Sequence, residues 1–433
     1  MSSLFLPRSA VAARWLPCGR SPVPAAAAVH SLCQQHRHHQ QRRHPADQRR
    51  SIVMVDQPQA DPPLDVDALR ATLAARPPTA TYDVLSPTHS HLLNVSLSDY
   101  LPAGAGAVEF DRQSAASATT TATAAKTNPF VLPSAASAGL LPPGPHLVYF
   151  PLQKPPSLLL PDGTDPTQSP GAPFVRRMWA GGSVRFLAPE NLLLDNRRAV
   201  CVERLGPDIR VTGTPGAEKV FVNVWRRYGP VPDLGARGAV SPEAIAGVEA
   251  AVEADPAIEE LRTLVFLRDS PRAAKNDAEA AKETQEPERK GIQAAYPPDA
   301  SFSLTPPPSL LFHFSALSFN AHAIHLDPQF CREQEGHRGR LVHGPLSLVL
   351  LLAAVRKQVA KVVGTSPAEV TNSIQSIEYR NLAPLYAGEP LRVCIRQNHN
   401  GHRDQAAGAR WDVWIEGPQG GVSVRGVAVT NSG

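Results

Sequence analysis

A long apolar run behind a glycine–proline pair constrains this chain more than any other feature. Gly344-Pro345 precedes Leu346 to Ala354, and the apolar character continues to Val363. Glycine at a cap and proline at a first helical position mark a helix start. A long helix is therefore expected from Gly344. Four alternating apolar runs follow, Ile374 to Arg380, Glu389 to Gln397, Trp411 to Glu416 and Val422 to Thr430, each bounded by turn residues. That pattern reads as antiparallel strands. A helix N-terminus exposes unpaired N–H groups and a partial positive charge, so the Gly344 amide is suited to a carbonyl oxygen that becomes negative during reaction. Glycine also lets a ligand come close to the backbone. Upstream, Asn320 and His325 lie five apart across a turn, near enough to converge on one small ligand.

These residues resemble the hydratase-2 motif of MaoC-like hot-dog proteins. In that family a catalytic Asp precedes a catalytic His by five residues, and a His-Gly pair further on opens the central helix. Here Leu317-Ser318-Phe319-Asn320 stands where the family has its Asp-ending segment, and His325-Leu326-Asp327-Pro328 matches the His-x-Asp-Pro that follows. His343-Gly344 takes the place of the helix-opening pair. Asn320 departs from the pattern by replacing the Asp. The chain is more similar still to the fungal mitochondrial type 2 3-hydroxyacyl-thioester dehydratases and the related mesaconyl-CoA hydratases, which carry Ser-Ala-Leu-x-Phe-Asn and an upstream Arg-Arg-Met-Trp-Ala-Gly-Gly. Both strings occur, at Ser315 to Asn320 and Arg176 to Gly182. The resemblance implies an α+β double hot-dog, each half an antiparallel sheet wrapped around a central helix. It also implies a pseudo-dimer within one chain whose second half keeps the catalytic groups, with homodimerisation left open.

At 433 residues and 46.4 kDa the chain has room for two domains and linkers. Its first fifty residues hold eight arginines, no lysine and one acid, Asp47. Acid-poor, arginine-rich sequence of this kind is expected to be an organelle transit peptide, most simply mitochondrial, which places the working protein in the matrix. A basic tail or a metal-binding tract at His36 to His44 is the rival reading. Without that segment 35 basic residues face 38 acidic ones, so the formal charge of +4 is no argument for nucleic acid. No apolar run approaches the length of a membrane span. The five cysteines, Cys18, Cys33, Cys201, Cys331 and Cys394, show no paired spacing, which fits a reducing compartment.

The N-terminal half is expected over residues 65–268, with a helix from Val66 to Ala75 and a flexible, low-complexity insertion at 102–144. His146 to Phe150 reads as a short strand. Gly181-Gly182 interrupt a strand pattern and imply a bulge beside Trp179. Strands are expected at Arg198 to Leu205, Ile209 to Thr212, Val220 to Trp225 and Leu261 to Leu267, with a helix from Pro242 to Ala254 capped by Ser241. A charged linker spans 269–300. The C-terminal catalytic half, 301–433, opens with a strand-like Ser309 to Phe314.

For the chemistry, His325 is assigned the proton transfer, Gly344 N–H the thioester oxygen, and Asn320 the water, because an amide is no base near neutral pH. If Asn320 only buttresses its turn, an acid such as Asp327 has to serve. His343, Arg340 and Trp179 are the expected substrate contacts, with Arg338 and Arg340 near carrier phosphates and His343 bonded to backbone near Gly344. The rival of each is a solvated loop or plain core. His322-x-x-His325 has metal-site spacing but no third ligand at a recognised position, and Cys331 has no base beside it. No cofactor is expected. The partner is an acyl thioester on acyl carrier protein or CoA. The implied reaction is dehydration of (3R)-hydroxyacyl thioesters to trans-2-enoyl thioesters, or hydration in reverse, in mitochondrial type II fatty acid synthesis. A mesaconyl-CoA-type hydratase and a noncatalytic acyl-binding subunit are the alternatives. A thioesterase is disfavoured, since no carboxylate sits at the helix start.

Overall fold

Alternation in the sequence becomes one antiparallel sheet in the computed structural model, which describes residues 64–102, 132, 134–137, 139–232, 241–268, 291–367, 369–398 and 408–431. The arginine-rich start, most of the low-complexity insertion and most of the charged linker lie outside these residues. In chain order the elements are α1 (Val66–Ala74), β1 (Thr79–Val84), α2 (Pro87–Leu97), β2 (Phe174–Phe186), β3 (Arg198–Leu205), β4 (Arg210–Thr212), β5 (Lys219–Pro230), α3 (Pro242–Ala254) and β6 (Ile258–Arg268). Then come β7 (Ala300–Leu304), α4 (Pro308–Leu317), α5 (Ala323–Leu326), α6 (Pro328–Glu333), α7 (Gly344–Val363), β8 (Ile374–Asn381), β9 (Leu391–Gln397), β10 (Ala409–Glu416) and β11 (Val422–Thr430). The sheet order is β1-β3-β5-β6-β2-β8-β11-β10-β9-β7, with β4 paired to β5.

Two halves of this double hot-dog meet where β2 pairs with β8, from Gly181 opposite Arg380 to Arg185 opposite Ser376. The pseudo-dimer is thus a single sheet. Its seam needs the expected glycine: at Gly181 φ is +150° and a Cβ would stand 2.4 Å from the Tyr379 carbonyl oxygen. The register of β2 against β6 shifts between Trp179 and Gly181, which is the bulge.

Helix α7 begins and ends where its sequence dictates. Pro345 starts it, and Gly364 ends it in the left-handed conformation, its N–H donating to the Ala360 carbonyl. Leu346, Leu348, Leu350, Leu351 and Leu352 are all buried, and β8, β9 and β10 pack on the helix. The same core takes in Leu93 and Leu97 of α2 and, from the first half of the sheet, Cys201, Tyr228 and Ile258. Arg356 is buried too and reaches the Pro143 carbonyl.

Several expectations are corrected. His146 to Phe150 is no strand: Pro145–Val148 forms a buried turn of 3-10 helix, because Gly144 turns the chain at φ +102° and Pro145 has no N–H to offer a sheet. The insertion cannot extend to 144, since Leu141 to Gly144 are buried. Ser309 to Phe314 is helical, with Pro308 in the first turn and Leu310, Leu311 and Phe314 buried. A short apolar run fits either helix or strand, and here length and proline decide. The charged linker cannot run to 300, because Ala300 opens β7 against β9. β1 and α2 were not foreseen.

Candidate active site

The turn that carries Asn320 follows from how α4 stops. Phe319 takes a left-handed conformation at φ 51°, and the Asn320 N–H donates to the Ser315 carbonyl at 2.8 Å. The Asn320 carboxamide oxygen then accepts the His322 N–H at 3.0 Å, which leads the chain into α5. Asn320 is half-buried, and its Nδ2 keeps two hydrogens to donate.

His325 ends up buried, with Nδ1 2.8 Å from the Leu341 carbonyl oxygen. A carbonyl can only accept, so Nδ1 carries the proton and Nε2 presents a lone pair. Burial, opposed by the Leu341 hydrogen bond and helped by the nearby Arg177 charge, pushes His325 down to about 4. The ring is a neutral base at physiological pH.

A cavity of about 560 Å³ is lined by Arg177, Trp179, Asn320, His322, His325 and Gly344, among others. Gly344 is the first residue of α7, so its N–H has no partner within the helix. Trp179 packs beside Gly344 and is fixed by two hydrogen bonds: its Nε1 donates to the Tyr379 hydroxyl at 2.8 Å, and its carbonyl accepts from Asn381 Nδ2 at 2.8 Å. One cavity therefore presents a neutral imidazole, a carboxamide and a helix-tip N–H. Such a set can move a proton next to a carbonyl whose oxygen is being stabilised.

Three expectations are placed elsewhere. His343 is fully buried and absent from the cavity lining; it stacks on His325 with centroids 3.7 Å apart and bonds the Ser315 hydroxyl, not backbone, through Nε2 at 2.8 Å. It stands behind His325 rather than at the cavity wall. Arg340 is also absent from the lining, its Nε donating to the Leu326 carbonyl at 2.8 Å. Asp327 is exposed and caps α6 by accepting from the Gln329 and Phe330 amides. Cys331 is buried, its thiol pushed up by burial, and it does not line the cavity. Among the described residues no group of three metal-ligating side chains is found, and no helix is long and apolar enough to cross a membrane.

Arg177 went unassigned although its string was singled out. Arg177 lines the cavity, its guanidinium bonds the Gln168 carboxamide oxygen at 3.0 Å, and it has no carboxylate within ion-pair distance among the described residues, although the charges of Asp162, Asp165 and Glu203 act on it. By contrast Lys154 is paired with Asp165, and Arg226 and Arg262 with Glu260.

The sequence profile of the hydroxyacyl-thioester dehydratase type 2 family matches residues 144–387, more than half of the chain and the whole of this site. The chain belongs to that family. It is accordingly a hydro-lyase. Its relatives include the mesaconyl-C(4)-CoA hydratase of Chloroflexus aurantiacus, 29% identical over 66% of this chain and 81% of that protein. Another is the mitochondrial hydroxyacyl-thioester dehydratase type 2 of Schizosaccharomyces pombe, 26% identical over 60% of this chain and 79% of that one. Among solved structures, a MaoC-like dehydratase from Phytophthora capsici aligns over 84% of this chain and 97% of its own, with 14% identity and a TM-score of 0.48.

Burial of so many imidazoles ties the stability of this family member to pH. His146 and His325 are pushed down to about 4 by burial, and His322 and His343 well below their usual value by the same cause. An unfolded chain binds protons on these rings once pH falls below about 6.5, while the folded one resists to lower pH, to about 4 for His146 and His325. Their contribution to stability is whole above about pH 6.5 and is lost as pH falls from there towards 4. The melting midpoint is expected to drop between about pH 7.5 and about pH 5. A midpoint that holds or rises over that span would mean the rings are not buried neutral.

Proposed function

We propose that this dehydratase interconverts (3R)-3-hydroxyacyl and trans-2-enoyl thioesters, with His325 moving the C2 proton, Gly344 N–H holding the thioester oxygen and Asn320 holding the water. The observation that carries the reading is the His325 tautomer. With Nδ1 tied to the Leu341 carbonyl, Nε2 is left as a base in the cavity that the start of α7 lines. In dehydration the C2 proton passes to Nε2, the C–H electron pair becomes the double bond, and the C3–O bond breaks as that proton is handed on to the departing oxygen, which leaves as water with His325 neutral again. Charge that gathers on the thioester oxygen meets the positive end of α7.

The preferred substrate is an acyl chain on acyl carrier protein, and the setting is type II fatty acid synthesis in the mitochondrial matrix. Support comes from the arginine-rich, acid-poor first fifty residues and from the S. pombe relative, whose name is mitochondrial. A second reading is favoured by Arg177. A cavity guanidinium with no carboxylate at ion-pair distance among the described residues, though Asp162, Asp165 and Glu203 lie near enough to act on it, suits a short acyl-CoA bearing a carboxylate, the class to which the substrate named for the C. aurantiacus relative belongs.

Comparing kcat/KM for medium-chain enoyl thioesters on acyl carrier protein and on CoA with that for mesaconyl-CoA tests both. The first reading expects the carrier-borne medium chain to lead by about tenfold or more. A lead of that size for mesaconyl-CoA would hand the function to the second, with Arg177→Leu then erasing the lead.

A further inference from the structure

We infer that the acid–base function Asn320 cannot perform is carried by His322, held for that task by Asp162 from the first half of the chain. The inference rests on the hydration–dehydration reading of the site.

Asp162 lies in the connection between α2 and β2, far from the His325 motif in sequence, yet it is buried against it. Its main-chain carbonyl accepts the Ala323 N–H at 2.8 Å. The loop closes on itself, with Gly163 N–H donating to the Leu160 carbonyl and Leu160 N–H to that of Thr164. At its tip it sits so close to the active-site segment that a Cβ on Gly163 would come within 2.1 Å of the Ala321 carbonyl oxygen. Thr164 pins one carboxylate oxygen of Asp162, donating to Oδ1 from its N–H at 2.9 Å and its hydroxyl at 2.7 Å. The other oxygen, Oδ2, is aimed at His322 Nε2, 3.6 Å away.

His322 is itself buried, and its Nε2 has no hydrogen-bond partner. A buried imidazole nitrogen facing a carboxylate a few tenths of an ångström beyond bonding distance is a catalytic pair waiting to tighten, as acid–base contacts do when substrate fills a site. With Nε2 turned to Asp162, Nδ1 is the nitrogen left for the cavity that His322 lines beside Asn320 and His325. The two rings stand edge to face with centroids 5.6 Å apart, and His343 backs His325. Arg177 is the cation whose field reaches both rings. Burial, and after it the charges of His325 and Arg177, hold His322 well below its usual value, so the ring enters the reaction neutral, as a base.

In hydration, water held by Asn320 gives a proton to His322 Nδ1 as its oxygen bonds C3. The C2=C3 electron pair moves onto C2, with the thioester oxygen held at Gly344. The proton passes from His322 to His325 Nε2 and from there to C2. Both rings end neutral, and water has been added with no other reactant. Asp162 steadies the transient imidazolium and keeps the ring in the tautomer that faces the cavity, which makes it a positioning residue.

Two reactions separate the roles. Hydration of crotonyl-CoA needs both rings, whereas exchange of the C2 hydrogens of butanoyl-CoA with heavy water needs only His325 and Gly344. His322→Gln is expected to lower kcat for hydration by about 10²-fold or more, and Asp162→Asn by about tenfold or more with KM little changed, while C2 exchange stays within about threefold in both. Asp162→Glu should recover part of the loss. His325→Ala should lose both reactions. Hydration at the wild-type rate in His322→Gln, or hydration and exchange falling together with an unchanged melting midpoint, would overturn the inference. A wild-type chain that exchanges C2 hydrogen without hydrating would overturn this step alone. One that does neither would overturn the reading of the site beneath it.

Discussion

Replacing His325 by alanine is expected to lower kcat for enoyl-thioester hydration by about 10²- to 10⁴-fold, the range for a general acid–base group, with the sheet and α7 intact. The ring is buried, but it fronts a cavity, so its loss leaves space that water can enter. The wild-type profile carries a second signature. Because the ring is held down to about 4 by burial, its base form persists through the neutral range, and the rate should fall only as pH approaches about 4. Loss of the conjugated-enoyl absorbance of a crotonyl thioester reads both. A limb near pH 6.5 would mean that the ring is solvated as an ordinary histidine is.

Glu260→Ala is expected to remove about 3–5 kcal/mol of stability, the usual consequence of stranding buried charge. Glu260 is fully buried on β6 and accepts from Arg262 Nε at 2.7 Å and Arg262 Nη2 at 2.9 Å, with the Tyr228 hydroxyl bonded to it as well. Arg226, also buried, stands 3.9 Å away and reaches Glu203 and the Phe150 carbonyl. Burial by itself would raise this carboxyl, yet the two guanidiniums hold it at about 2. Deleting it strands Arg262 and leaves Arg226 with Glu203 alone, and both cations line the cavity. Urea unfolding should show the loss in full, and a change under about 1 kcal/mol would mean that water already reaches the cluster. Glu260→Gln, which keeps the hydrogen-bonding shape, should lose less.

Local signals exposed the parts of this molecule that are locally determined. The glycine–proline start and the apolar run of α7 predicted its bounds, and Ser241-Pro242 did the same for α3, because caps and proline act within a turn. β11 was read at its observed limits for a like reason: its apolar residues alternate between clear turns. Ser309 to Phe314 reads as strand but lies in a helix, since a short apolar run carries no period long enough to separate the two. β7 hid at the end of a charged segment and is a strand only because β9 offers it an edge.

In the site, His325, Asn320, Gly344 and Trp179 were legible as candidates from their strings, and the fold brings all four to one cavity. His343 and Arg340 look alike in sequence, as polar residues flanking the motif; only packing shows one stacked behind His325 and the other tied to a loop carbonyl. Asp162 carried no signal beyond a turn, Pro161-Asp162-Gly163. Its relation to His322 exists only because the first half of the chain folds back over the second.

Hydration of crotonyl-CoA in heavy water tests the central claim most directly, with the product examined for configuration at C3 and deuterium at C2. The expected product is the (3R)-3-hydroxybutanoyl thioester carrying one deuterium at C2, formed by wild type and lost with His325→Ala. Turnover that survives in His325→Ala, or a (3S) product, would show that water is added by groups other than the buried imidazole and the amide at the start of α7.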